Sequence, residues 1–165
     1  MCFSLGNALG LLLGGSYGST LYKRDKRLPQ FLAGAMTTLG CIPLWFLMNS
    51  VTSSAPFWWV GLIAFTSGFG SGPTGPIIKA TVTNVTHPRT RGQAFALFTL
   101  FDDLGKGLGP YFVSLLIVRM GGRLKAFNVA LFGWVICGVA NLLIFFTVSQ
   151  DEAKVQAEVR SELMI

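Results

Sequence analysis

Charge is scarce in this chain. Of its 165 residues, 12% are Asp, Glu, Lys or Arg, and the acidic ones number only 7. Soluble domains average about 25% charged residues, and a surface with so few charges would not be kept in water. Histidine is rarer still, His87 being the only one. With neither cysteine nor acidic residues beside it, His87 makes no zinc site. Cys2, Cys41 and Cys137 each stand inside an apolar run and form no CxxC pair; they read as small apolar packing residues. A His-rich cluster and a GxSxG nucleophile elbow are also missing, so the chain reads as a non-enzyme without metal or cofactor. What it has instead is apolar bulk: 52% hydrophobic residues, 14 Phe and 20 Gly. Lipid is the medium that tolerates such a surface.

A membrane-crossing helix needs about 20 mostly apolar residues. Five runs meet that length, over residues 2–22, 31–48, 57–78, 94–118 and 127–148, followed by a polar tail over 151–165. The start, MCFSLGNALG, has no basic segment ahead of the apolar run, so the first run reads as a helix and not as a cleaved signal. The fold class expected is all-α, a polytopic transmembrane bundle of about five spans.

The net charge of +6 is distributed as topology. Lys23, Arg24, Lys26 and Arg27 lie in the first connection, Lys79, Arg89 and Arg91 in the third, and Lys154 and Arg160 in the tail. With five spans these segments share one side; Arg119, Arg123 and Lys125 lie on the other. Positive residues stay in the cytoplasm, which puts the tail inside and the N-terminus outside, and makes nucleic acid an unneeded partner. The sequon Asn84-Val85-Thr86 then faces the cytoplasm and is expected to be unused. An odd number of spans with an outside N-terminus is the pattern of a fragment or a shortened product.

Gly6, Gly10, Gly14 and Gly18 recur every four residues along the first run. Residues four apart share one helix face, and small residues there let another helix approach closely; a partner outside this chain is one candidate. The third run contains SGFGSGPTGP. Gly70, Gly72 and Gly75 match GxGxxG literally, but no strand precedes them and Pro73 and Pro76 break the helix a dinucleotide site would need. A broken membrane helix is expected instead, which is tolerated where it lines a cavity or is buried in protein. Lys79 at its end reads as an interface anchor.

The fourth run reads ALFTLFDDLGKGLGPYFVSLL. Asp102 and Asp103 stand about ten residues past Arg91, roughly 15 Å into a hydrocarbon core about 30 Å thick. Charges at that depth cost about 2.5–3.5 kcal/mol each on insertion scales. Lys106 is in helical reach of either aspartate, which leaves one carboxylate over. A midplane carboxylate is a candidate for proton or ion coupling or for substrate contact; a polar network holding helices together is the plainer alternative. Gly105 and Gly109 clear one face, and Pro110 should bend the helix.

These residues together resemble the major facilitator superfamily. The connection Gly18-Ser-Thr-Leu-Tyr-Lys-Arg-Asp-Lys-Arg27 is similar to that family's cytoplasmic loop motif, a glycine followed by DRxGRR: Gly18, Arg24 and Arg27 match, while Lys23 and Lys26 replace the motif's Asp and second Gly. Gly105-Lys-Gly-Leu-Gly109-Pro110 resembles the GxxxGP of helices 5 and 11, although Val113 and Ser114 stand where further glycines are expected. The resemblance implies the second half of a twelve-helix transporter, helices 8–12; helices 2–6 would have the same topology. A relation to the spinster-like branch, linked to lysolipids and sphingolipids, is a further resemblance. The major facilitator resemblance implies that Gly18, Arg24 and Arg27 form a cytoplasmic gate loop and that Gly105, Gly109 and Pro110 shape a helix facing the other half. Asp102, Asp103 and Lys106 belong to no motif of the family; their role rests on depth.

The function expected is alternating-access transport of a small or lipid-like solute, with proton coupling through Asp102 or Asp103, in company with the missing helices of a full transporter. The rival is a non-transporting membrane protein that docks on another helical protein through the glycine face of Gly6, Gly10 and Gly14.

Overall fold

The structure, a computed structural model, describes residues 1–51 and 55–164. It holds six helices: α1 (Cys2–Arg24), α2 (Leu28–Asn49), α3 (Phe57–Ser71), α4 (Thr74–Asn84), α5 (Arg91–Met120) and α6 (Arg123–Leu163). No strand occurs among the described residues. The uncharged connection between the second and third runs lies partly outside the described residues, as does Ile165 at the end of the tail.

The run over 57–78 comes as two helices. Proline has no N–H and its ring opposes the preceding turn, so α3 ends at Ser71 and α4 restarts after Pro73. The fifth run and the polar tail, by contrast, form one helix of 41 residues. At 1.5 Å per residue it is about 60 Å long, twice the thickness of a hydrocarbon core. Among the helices, α2 and α6 are long and apolar enough to cross a membrane by length and composition. Large apolar side chains face outward around the bundle, including Leu12, Trp58, Phe101, Phe132 and Phe146. Such a surface suits lipid and would aggregate in water.

In space the helices stack as α1, α3, α2 and α6, with α1 also reaching α2. Glycines set these contacts. The face of Gly6, Gly10 and Gly14 is covered by this chain's own α3 and the turn after it: a Cβ at Gly6 would strike the backbone of Phe65, at Gly10 that of Phe69, and at Gly14 Pro73. The partner of that face is therefore internal, not a helix of another protein. Gly40 of α2 faces Gly70 of α3 in the same way, and Gly138 of α6 abuts Thr38 of α2. In lipid, helices associate by van der Waals packing and interhelical hydrogen bonds, which favours small residues at the seams. Polar side chains join them: Ser67 Oγ donates to the Gly40 carbonyl at 3.0 Å, and Gln30 Nε2 to Thr81 Oγ1 at 2.9 Å.

The helix α5 stands apart. It touches α6 and α4, and none of its 30 residues is buried. Its end is Gly121 with φ 66°, the one residue in the left-handed region among those described, after which α6 begins.

Candidate functional site

Two groups of polar side chains carry chemistry, one in the middle of α5 and one at the end of the bundle where the basic loops gather.

On α5, Lys106 Nζ lies 2.6 Å from Asp102 Oδ2, one helical turn apart. Asp103 has no hydrogen bond or ion pair among the described residues, and all three side chains are exposed. Gly105 and Gly109 have open space where a Cβ would be, and Pro110 is internal to the helix, four residues beyond Lys106. Asp102 and Lys106 thus pair along the helix, and among the described residues no second helix closes over them or over Asp103. A carboxylate that faces an open helix surface is free to meet water, a proton or a bound solute.

At the basic end, Gly18 packs against the side chain of Ile77 in α4. The backbone N–H of Arg27 donates to Asp25 Oδ1 at 2.9 Å, which turns the chain from α1 into α2. Neither Arg24 nor Arg27 makes a side-chain ion pair among the described residues; the loop's cation in use is Lys26, whose Nζ lies 2.7 Å from Glu152 Oε1. The Tyr22 hydroxyl donates to the same oxygen. Glu152 is 2% exposed, and its Oε2 has no hydrogen-bond partner among the described residues. Nearly three turns further along the tail, Glu162 Oε2 sits 3.4 Å from both His87 Nε2 and an Arg89 guanidinium nitrogen. The tail of α6 therefore ties the first and third connections to one another. At the opposite end of the bundle, Asn49 and Asn128 exchange amide hydrogen bonds at 2.9 Å in both directions.

Glu152, Tyr22, Lys26 and Glu162 were not singled out from the sequence. A signal for Glu152 exists: Leu131, Gly138, Asn141 and Val148 are the buried stripe of α6, and Glu152 continues it four residues on. A carboxylate in phase with the buried face of an apolar helix must find donors.

The family model described as Major Facilitator Superfamily matches residues 1–163. The chain belongs to the major facilitator superfamily. The search of curated proteins found no match, and neither did the search of solved structures. As a member of this superfamily, the chain is an integral membrane protein with a transporter's helical bundle, and its two groups of polar residues are to be understood in those terms. The major facilitator match covers the loop with Gly18, Arg24 and Arg27 as well as α5 with Asp102, Asp103 and Lys106. The fit of an apolar exterior to lipid and of glycine-lined seams to close helix packing follows from the same assignment.

Proposed function

We propose that the chain is part of a secondary transporter that moves a small organic solute by alternating access, coupled to protons through the aspartates of α5. The helices cross the membrane several times, with the basic connections and the tail of α6 in the cytoplasm. The observation that carries this reading is Asp103: a carboxylate in the middle of α5, beside a salt-bridged Asp102–Lys106 pair, with no partner of its own among the described residues. Lys106 neutralises Asp102 and keeps that charge tolerable in a medium of low dielectric. Asp103 then takes up and releases a proton according to the side of the membrane its solvent faces. Pro110 supplies the bend about which α5 reorients. The open face of Gly105 and Gly109 receives the helices of the second half, and the solute binds between the halves near mid-depth.

The rival reading, docking through the face of Gly6, Gly10 and Gly14, has lost its surface to α3. Uptake of a candidate solute into proteoliposomes, driven by an imposed proton gradient, tests the proposal. Asp103→Asn should reduce gradient-driven uptake to the level seen without a gradient, while exchange at zero gradient persists. Unchanged gradient-driven uptake after neutralising both aspartates would rule out coupling here.

A further inference from the structure

We infer that the far end of α6 is a pH-operated clasp: proton uptake by His87 tightens its hold on Glu162, while the Lys26–Glu152 contact nearer the bundle does not respond. His87 is the only histidine of the chain. Histidine is the side chain that ordinarily changes charge between about pH 5 and pH 8, where carboxylates stay ionised and Lys and Arg stay protonated. Of the Lys26–Glu152, Arg89–Glu162 and His87–Glu162 contacts, the last is the one a proton can switch in that range.

The two ring nitrogens are placed for different tasks. Nδ1 accepts from the backbone N–H of Arg89 at 3.3 Å, so the neutral ring carries its proton on Nε2. Nε2 lies 3.4 Å from Glu162 Oε2, is shielded from solvent and has no hydrogen-bond partner among the described residues. Solvent does not reach this donor; the carboxylate does. A proton taken up at Nδ1 makes the ring a cation. It breaks the long bond to the Arg89 amide, which is exposed and turns to water instead. It also sets a full charge against the carboxylate, at a distance too short for water to intervene. The lost bond is replaced by solvent and the gained one is not, so protonation favours the closed clasp, which loosens again as pH rises. The charges on the neighbouring elements are Glu158, Arg160 and Glu162 on α6, Arg89 in the connection and Arg91 at the start of α5; α4 has none after Lys79. Among the described residues Glu162 is the one within ion-pair distance of the imidazole. Arg89 shares its oxygen, but the arginine side chain is 76% exposed against 19% for His87, so solvent screens its share more. Arg91 opens α5 just after Arg89, so a closed clasp fixes the entry of the helix that carries Asp102 and Asp103. That the cytoplasm's pH is the one sensed rests on the orientation proposed above; the clasp itself does not.

Amide hydrogen exchange of the full chain in phosphatidylcholine nanodiscs, corrected for the intrinsic pH dependence of exchange, tests it. Both faces of the disc share one pH, so neither orientation nor uptake enters. Protection of the last turns of α6, residues 158–163, should rise roughly two- to fivefold from about pH 8 to about pH 5.5, the span of a weak ion pair. The stretch around Glu152 should stay constant. His87→Gln should hold the last turns at their high-pH protection throughout. Glu162→Gln, at a half-exposed position in the final turn, should remove the response too and carries the test if His87→Gln misfolds. Protection that is flat or falls on acidification would overturn the proposal. So would a response that persists in a folded His87→Gln chain, or one shared equally by the stretch around Glu152.

Discussion

Lys26 and Glu152 are unequal partners: the lysine side chain is 47% exposed and the carboxylate side chain 3%. Removing the lysine strands a buried charge, whereas neutralising the glutamate returns a hydrated lysine to water. Lys26→Met should therefore destabilise the folded chain, by about 1–3 kcal/mol after allowing for the lysine's hydration. Adding Glu152→Gln to Lys26→Met should recover part of that loss, and thermal unfolding of the single and double variants in one detergent measures the coupling. A double variant whose loss equals the sum of the two singles would show that the two do not act on one another. At this scale the sequence is only partly readable. Asp102, Asp103 and Lys106 stand out because charge inside an apolar run is rare. Glu152 does not, because it falls in a polar tail where acidic residues are ordinary; its burial depends on α6 continuing unbroken past the apolar run and on where α1 ends.

The helix seams are held by glycine contact. Gly10 meets the backbone of Phe69, and backbone cannot move aside as a side chain can. Gly10→Leu should force α1 from α3 and lower stability by about 1–3 kcal/mol, the usual cost of overpacking. Gly133→Ala on α6, where a Cβ meets open space, should cause no loss and a gain of up to about 1 kcal/mol from helix propensity. Thermal midpoints of the two variants check the contrast; equal behaviour would mean that α1 and α3 are not held by glycine contact. The four-residue glycine spacing predicts a close-packed face from sequence alone, but not its partner, since spacing fixes a face and topology fixes what lies on it. The break of the third run is likewise readable from Pro73 and Pro76, because proline acts on the local backbone. The isolation of α5 is not, because its residues are as apolar as those of helices that pack.

For the whole molecule, the ion pairs gather segments that are far apart in sequence. Lys26 with Glu152, and His87 and Arg89 with Glu162, bring the first connection, the third connection and the tail to one end, opposite the Asn49–Asn128 pair. Expression in a glycosylating host should leave Asn84 unmodified, with no change in mobility after glycosidase treatment; a shift would invert the orientation proposed here. The charge distribution alone pointed to the same grouping of segments, since the positive residues cluster by connection, but the ion pairs that join them were invisible without the fold. The membrane class and the superfamily were legible because they rest on composition and on motifs spread along the chain. The solute was not, because α5, which carries the aspartates, has no buried residue and so shows no enclosed site to read a solute from.

The unbroken length of α6 has a mechanical meaning. A rod of 41 residues, about 60 Å long, cannot absorb a tilt at the membrane surface as a hinged linker would. If its buried half leans by about 10° within the ordinary range of helix tilts, its far tip sweeps about 5 Å. That tip holds His87 and Arg89 through Glu162, while the stretch nearer the bilayer holds Lys26 through Glu152. The helix is thus a crank with two pins at different radii, and the outer loop must travel farther than the inner one for the same stroke.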